Sequence, residues 1–271
     1  MKNNSYRTLK FLMCQPQYFD VDYEINPWMN VGNRPDKILA QKQWLDLKNT
    51  YLKLGAEVNL IDPIKDLSDL VFTANAGLVY ENIFIPSQFK FRERKGEEPH
   101  FIKWFESKGY VVKRLPPSID FEGEADRILH NDKILMGYGF RSSLPAHKEI
   151  SKILKKEVIP LELINPNFYH LDTCLAYFDF NDTILYYPKA FSLESQEIIK
   201  KEFNNIIQVS DEEAFKYACN SINISDNVVI NENCTDAYSK LKKYNYKIYT
   251  LNTSEFMKAG GSIKCMTLIL S

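Results

Sequence analysis

Leu78-Val79-Tyr80-Glu81-Asn82-Ile83-Phe84-Ile85 sets two short apolar, β-branched runs on either side of a polar pair, the pattern of a tight β-hairpin. The pattern returns three times. Its other copies are Ile128-Leu129-His130-Asn131-Asp132-Lys133-Ile134-Leu135-Met136, Ala176-Tyr177-Phe178-Asp179-Phe180-Asn181-Asp182-Thr183-Ile184-Leu185-Tyr186 and Ile222-Asn223-Ile224-Ser225-Asp226-Asn227-Val228-Val229-Ile230. The turns fall near Asn82, Asp132, Asp182 and Asn227, a period of about 50 residues, and such a period marks a repeat architecture. Two strand-like runs are left over, Leu9-Lys10-Phe11-Leu12-Met13-Cys14 and Met266-Thr267-Leu268-Ile269-Leu270. Paired with each other, the chain ends supply a fifth hairpin and close a ring.

Helical periodicity fills the segments between hairpins, over 36–54, 99–108, 146–154, 193–203, 211–218 and 233–244. The first places Trp44, Leu45, Leu47, Tyr51, Leu52 and Leu54 on one broad face and stops at Gly55, as a C-terminal glycine dictates. Short strands over 109–113 and 246–250 follow two of these helices. The predicted unit is therefore ββαβ, repeated about an axis, in a single α/β domain over 1–271. In such a ring Asn75, Asp126, Asp172, Asn220 and Cys265 occupy equivalent places before successive hairpins and converge on one polar pocket.

Composition narrows the function. Apolar residues make up 45% and charged residues 25% of the 271, as in ordinary soluble globular proteins. Thirty-four basic against thirty-five acidic residues leave no field to hold a polyanion, so a small molecule is expected as partner and nucleic acid is not. Met1-Lys2-Asn3-Asn4-Ser5-Tyr6-Arg7 leads into only a short apolar run, and no stretch approaches the roughly 20 apolar residues that span a bilayer, so no membrane partner and a cytoplasmic location are expected. Oligomeric state is left open, a homo-oligomer included. Cys14, Cys174, Cys219, Cys234 and Cys265 are an odd number with no C-x-x-C pair, which argues against a disulfide framework and a zinc site. Cys14, Cys174 and Cys219 lie in or beside apolar runs and read as small buried hydrophobes, whereas Cys234 reads as an inert thiol in a polar loop.

Cys265 stands apart, in Gly260-Gly261-Ser262-Ile263-Lys264-Cys265 after a glycine-opened turn. Phe121-Glu122-Gly123 and His170-Leu171-Asp172-Thr173 add a carboxylate, a histidine and a second carboxylate, the groups that cysteine-based hydrolysis of a carbon–nitrogen bond requires.

These segments, with Met13-Cys14-x-Pro16, Asp22-Tyr23-x-Ile25-Asn26-Pro27-Trp28-Met29, Phe72-Thr73-Ala74-Asn75-Ala76-Gly77 and Glu93-Arg94, resemble the guanidine-modifying enzymes of the pentein superfamily over nearly the whole chain. Arginine deiminases, dimethylarginine dimethylaminohydrolases, amidinotransferases and arginine dihydrolases belong to that group. The Ile-Asn-Pro-Trp-Met and Thr-Ala-Asn-Ala-Gly segments are most similar to the ammonia-producing arginine dihydrolases. The resemblance implies a five-bladed α/β propeller, a cofactor-free and metal-free site on its axis, and a covalent thiouronium-type intermediate. Dimethylarginine dimethylaminohydrolase and arginine deiminase are the alternative enzymes. A non-catalytic binding ring, like the pentein members that act in ribosome assembly, is the alternative of another class, and it needs no Cys/His/Glu constellation.

A guanidinium carbon is a poor electrophile until its N–H groups are fixed and a soft nucleophile attacks out of plane. Cys265 is the expected nucleophile, His170 the proton donor to the leaving amine and then the base toward water, and Glu122 the group that orients the imidazole. Asp172, two positions from His170, is expected to grip substrate nitrogens. The resemblance places Asn26 in the pocket, where the residues alone read as a turn before Pro27, and points to Arg94 for the α-carboxylate, where the neighbouring Arg92 and Lys95 also suit a plain charged loop. Asp126 is a substrate ligand or a turn residue, because Glu122-Gly123-Glu124-Ala125-Asp126 is one residue longer than the Glu-Gly-Gly-Asp of typical deiminases, and the extra Glu124 is expected in solvent. Asn75 stands where deiminases carry an aspartate. An amide both donates and accepts, so it suits a neutral ureido group as well as a cation and favours two successive hydrolyses.

Overall fold

The computed structural model describes residues 8–270, so the Met1 to Arg7 segment lies outside the described residues. Each hairpin forms with the expected partners. Gly77–Tyr80 pairs antiparallel with Ile83–Pro86, Arg127–His130 with Lys133–Tyr138, Leu175–Phe178 with Thr183–Tyr186, and Ile222–Ile224 with Asn227–Asn231. The turns close through left-handed residues, Glu81, Asn131, Asp182 and Ser225, so the strained position falls one or two residues before the polar pair's end in three of the four. A third strand then adds in parallel to the second strand of each hairpin after a helical crossover, making five three-stranded sheets. The fifth sheet is made by the chain ends: Leu268–Ile269 runs antiparallel to Lys10–Cys14, whose other edge holds Glu57–Ile61.

Helix Lys37–Lys53 shows how the local code works. Asp36 caps it by accepting from the N–H groups of Ile38 and Leu39, both at 2.9 Å, and Gly55 ends it at φ 88°. Its buried stripe is narrower than expected. Ala40, Trp44, Leu47 and Tyr51 recur at helical spacing and are fully buried, whereas Leu45 and Leu52 sit about one-quarter turn away and are exposed. The segment 211–218 is helical only over Asp211–Ala214, because Tyr217 takes a left-handed conformation (φ 59°) that an α-helix cannot continue through. Cys234 is fully buried at the start of helix Thr235–Lys243, not in an exposed polar loop.

Short turns immediately before the hairpins build the axis. Thr73–Ala76, Gly123–Asp126 and Leu171–Thr173 are single 3-10 turns, and they interlock with the segments around Asn220 and Cys265. The Ala74 N–H donates to the Cys265 carbonyl (3.1 Å), the Leu171 N–H to Asp126 Oδ1 (2.9 Å), and the Lys264 N–H to the Asn220 carbonyl (3.4 Å). Backbone groups that would otherwise be buried unpaired thus tie one blade to the next.

Candidate active site

Cys265 sits at the floor of a narrow cleft on this axis, together with Asn26, Asp69, Asn75, Arg94, Arg141 and His170. Its free volume is about 10 Å³, room for about one water, so a substrate must displace lining groups to enter. Gly260 opens the turn above the cysteine at φ 84°, and a Cβ there would meet the Tyr169 hydroxyl at 2.5 Å and the Asn26 amide at 2.8 Å. Asn220 clamps the cysteine, its Nδ2 donating to Cys265 Sγ (3.1 Å) while its Oδ1 accepts from the Cys265 N–H (3.2 Å). Burial, with the Asp172 carboxylate nearby, pushes the Cys265 thiol well above the usual cysteine range.

His170 Nε2 lies 2.8 Å from Glu122 Oε2, as expected of the pair. The same oxygen accepts from Arg141 Nη1 at 2.9 Å. Burial alone would raise the Glu122 carboxyl, but Arg141 and His170 outweigh it and hold the group well below the carboxylate range. Arg141 is itself fixed, with Nη2 on the Ile25 carbonyl (3.0 Å) and its plane over the rings of Phe91 and Tyr169 at 4.7 and 4.5 Å.

Asn75 accepts from Arg94 Nη1 through Oδ1 at 2.7 Å, and its Nδ2 has no hydrogen-bond partner. Arginine has only donors, so this contact fixes which way the amide points. The unused N–H pair therefore belongs to a buried residue of the cleft wall. Arg94 is deeply buried and doubly held by Glu97, at 2.7 and 2.8 Å, so it is no exposed loop cation. Asn26 does two things at once: Oδ1 accepts from the Trp28 N–H (2.9 Å) in a local turn, while Nδ2 donates to the Ala259 carbonyl (3.0 Å) at the cleft edge.

Of three further acidic residues, Asp126 takes the turn alternative, Asp172 lies beside the sulfur, and Glu124 alone departs from its expected place. Asp126 does not line the cleft, and both of its oxygens are occupied, Oδ1 by the Leu171 N–H and Oδ2 by the Ser142 hydroxyl (2.6 Å), which in turn accepts from the Glu122 N–H (3.0 Å). It holds the His170 and Glu122 segments in register. Asp172 Oδ1 accepts from the Cys265 thiol at 3.8 Å, but the residue forms part of a second cavity behind the cysteine, and its Oδ2 has no partner. Glu124 is buried rather than solvated, paired with Lys264 Nζ at 2.8 Å and accepting from the Ile269 N–H at 3.3 Å.

Two charged cleft residues are absent from the sequence-based set. Arg141 follows the second hairpin in an unremarkable Gly-Phe-Arg-Ser-Ser run, and only its buried contact with Glu122 marks it. Asp69, with an unpartnered Oδ1, supplies a carboxylate to the cleft even though Asn75 does not. Its signal was present as a lone acid before Leu70-Val71-Phe72, since a carboxylate beside an apolar run is rarely buried without a role.

Comparison with known proteins places the sequence and the fold. The sequence profile of the N,N dimethylarginine dimethylhydrolase family, eukaryotic, matches residues 16–270. A N(G),N(G)-dimethylarginine dimethylaminohydrolase of Mycobacterium tuberculosis is 40% identical over 262 residues, covering 97% of this chain and 86% of its own. The bifunctional arginine dihydrolase/ornithine cyclodeaminase AgrE of Nostoc is 41% identical over 266 residues, and there the match covers 96% of this chain but only 37% of the longer protein. The crystal structure of the N-terminal domain of ArgZ, a cyanobacterial arginine dihydrolase bound to product, superposes with a TM-score of 0.95 at 40% identity, covering 98% of each chain. The chain therefore belongs to the dimethylarginine dimethylhydrolase family and is built on its five-bladed pentein fold.

Proposed function

We propose that this chain, a hydrolase of guanidino carbon–nitrogen bonds, is an arginine dihydrolase that converts arginine and two waters to ornithine, two ammonia and carbon dioxide. The observation that carries the reading is the unpartnered Asn75 Nδ2 in the wall of the cleft that holds Cys265. A cation has no use for that donor. A ureido oxygen does, so the site suits the neutral product of the first hydrolysis and can present it to the cysteine again. The similarity to ArgZ and AgrE supports the same reading.

Cys265 gives its thiol proton to the His170 imidazole and attacks the guanidino carbon, a sulfur–carbon bond forms, and the carbon–nitrogen bond breaks as the amine leaves with that proton from His170. Water then loses a proton to His170, attacks the same carbon and releases the thiolate, leaving the ureido compound. Because the buried thiol is not ionised beforehand, the cationic substrate itself, with Asp69 beside it, must favour the thiolate. Glu122, locked between Arg141 and His170, keeps the imidazole oriented through both halves of the cycle. Arg94 receives the substrate α-carboxylate on the second N–H of Nη1, whose first stays on Asn75 Oδ1 and keeps the amide in place. Asn26 lines the entrance, and Asp126 acts by positioning. Asp172 Oδ1, beside the sulfur, is placed to accept from the N–H groups of a carbon bonded there. Thiol and imidazole supply nucleophile and proton carrier, so the chemistry calls for no metal or organic cofactor.

Separate quantification of citrulline, ornithine and ammonia after incubation with arginine tests the proposal. Ornithine with two equivalents of ammonia is the expected result. Citrulline with one equivalent makes the chain a deiminase, and dimethylamine released from dimethylarginine, with arginine untouched, makes it a counterpart of the mycobacterial relative.

A further inference from the structure

Behind Cys265, on the other side of the axial turns, lies a second and larger cavity of about 240 Å³. Ile128, Leu175, Ile222 and Ile269 give it an apolar wall, and Glu124, Asp172, Ser221 and Lys264 give it a polar one. Two of the polar side chains are more than nine-tenths buried and lack a partner, at Asp172 Oδ2 and at Ser221 Oγ. The remaining charges are accounted for. Glu124 and Lys264 pair with each other at 2.8 Å, Asp179 Oδ1 accepts from Asn223 Nδ2 at 2.6 Å, and Arg127 Nη2 donates to the Val79 carbonyl at 2.9 Å. Three carboxylates (Glu124, Asp172, Asp179) against two cations (Arg127, Lys264) leave one negative charge in excess when Asp172 is ionised.

A buried carboxylate with too few donors, an unused hydroxyl and an apolar wall describe the complement of a small organic cation. We propose that this rear cavity is a second ligand site, which takes a primary alkylammonium ion whose N–H groups donate to Asp172 Oδ2 and Ser221 Oγ and whose chain lies on the apolar wall. An ammonium carries three donors, enough for both oxygens. Occupancy is coupled to the nucleophile, because the other oxygen of Asp172 is the one 3.8 Å from Cys265 Sγ. Burial pushes the Asp172 carboxyl up to about 7, an effect that Lys264 offsets only in part because Glu124 also holds that ammonium.

The probe is n-butylammonium chloride, titrated calorimetrically into the full chain against sodium chloride of equal ionic strength. One saturable site is expected. In Cys265→Ser, where arginine can be held without turnover, saturating arginine should weaken butylammonium by no more than roughly tenfold and should not displace it, because the two ligands share only the Asp172 carboxylate, one at each oxygen. Ser221→Leu and, independently, Ala176→Leu fill the cavity and should each weaken butylammonium by roughly tenfold or more while leaving the front cleft's affinity for arginine within about twofold. Asp172→Asn should weaken the cation by a similar factor. Displacement of butylammonium by arginine, absence of binding up to about 50 mM, or undiminished affinity in whichever filled variant folds would each overturn the proposal. None of these readouts uses turnover, so the site stands or falls apart from the dihydrolase reading.

Discussion

Two buried carboxylates flank the reacting groups, and their surroundings are opposite. Glu122 receives His170 and Arg141 on one oxygen and the Lys90 N–H on the other, and it is held ionised far below its usual range. Asp172 is almost as deeply buried, yet one oxygen has only a long thiol contact and the other is bare; Lys264 and Asn220 offset the burial only in part, and its carboxyl rises to about 7. Donor supply, rather than burial, decides which of the two carries charge. The wall behind the imidazole is thus permanently charged and rigid, while the wall behind the sulfur is near neutrality and leaves the thiol protonated until a cation arrives.

The sharpest break of that contrast is removal of the sulfur. Cys265→Ser should fold with an unchanged melting temperature, because a buried hydroxyl can keep the Asn220 contacts, and should lose turnover by roughly 10⁴-fold or more. Turnover near the parent rate would remove Cys265 from the mechanism. Glu122→Gln attacks the charged wall next. The amide keeps the shape but no longer opposes Arg141 with a full charge, so turnover should fall by roughly 10²- to 10³-fold and the acidic limb of the rate profile should move. An unchanged profile would show that the carboxylate does not serve the imidazole.

The donor-poor wall is tested by stability. Asp172 has a folded-state pKa raised from 3.8 to about 7, so the folded protein holds a proton that the unfolded chain has already lost between those values. Stability contributed by this group is therefore full below about pH 4 and is lost as pH rises through 7. Asp172→Asn cannot titrate. Relative to the parent it should gain on the order of 4 kcal/mol between pH 4 and pH 7, read from denaturant midpoints, and parallel pH curves for the two proteins would show that Asp172 is ionised throughout.

What the chain declares in one dimension follows the same division. Hairpin spacing is local, and the ring, the pairing of the chain ends and the axial position of Asn75, Asp126, Asp172, Asn220 and Cys265 all follow from it. Cys265, His170 and Glu122 stand out because their short segments resemble a known group. Arg141 and the burial of Glu124 are invisible for a physical reason: each is defined by a partner supplied by another blade or turn, as in the Glu124–Lys264 pair, 140 positions apart. Leu45 and Leu52 mislead in the opposite direction, since apolar residues at the flank of a helical stripe satisfy the pattern without being buried. Cys234 reads as polar because its neighbours are polar, and helix 235–243 nonetheless closes over it.

The smallest expected effect is the one that bears most directly on substrate choice. Asn75→Asp keeps an acceptor for Arg94 at Oδ1 but replaces the unused Nδ2 donor by a second oxygen, in a wall where Asp69 already supplies a carboxylate. A guanidinium loses nothing from that exchange, because it meets one more anion. A ureido group loses its donor and gains an oxygen–oxygen contact, at a cost on the order of 1–3 kcal/mol. The first hydrolysis should continue and the second should slow, so citrulline should accumulate over ornithine by roughly tenfold relative to the parent. A variant that yields ornithine in the parent's proportion would detach Asn75 from the second step and leave the bare amide of the cleft without a function.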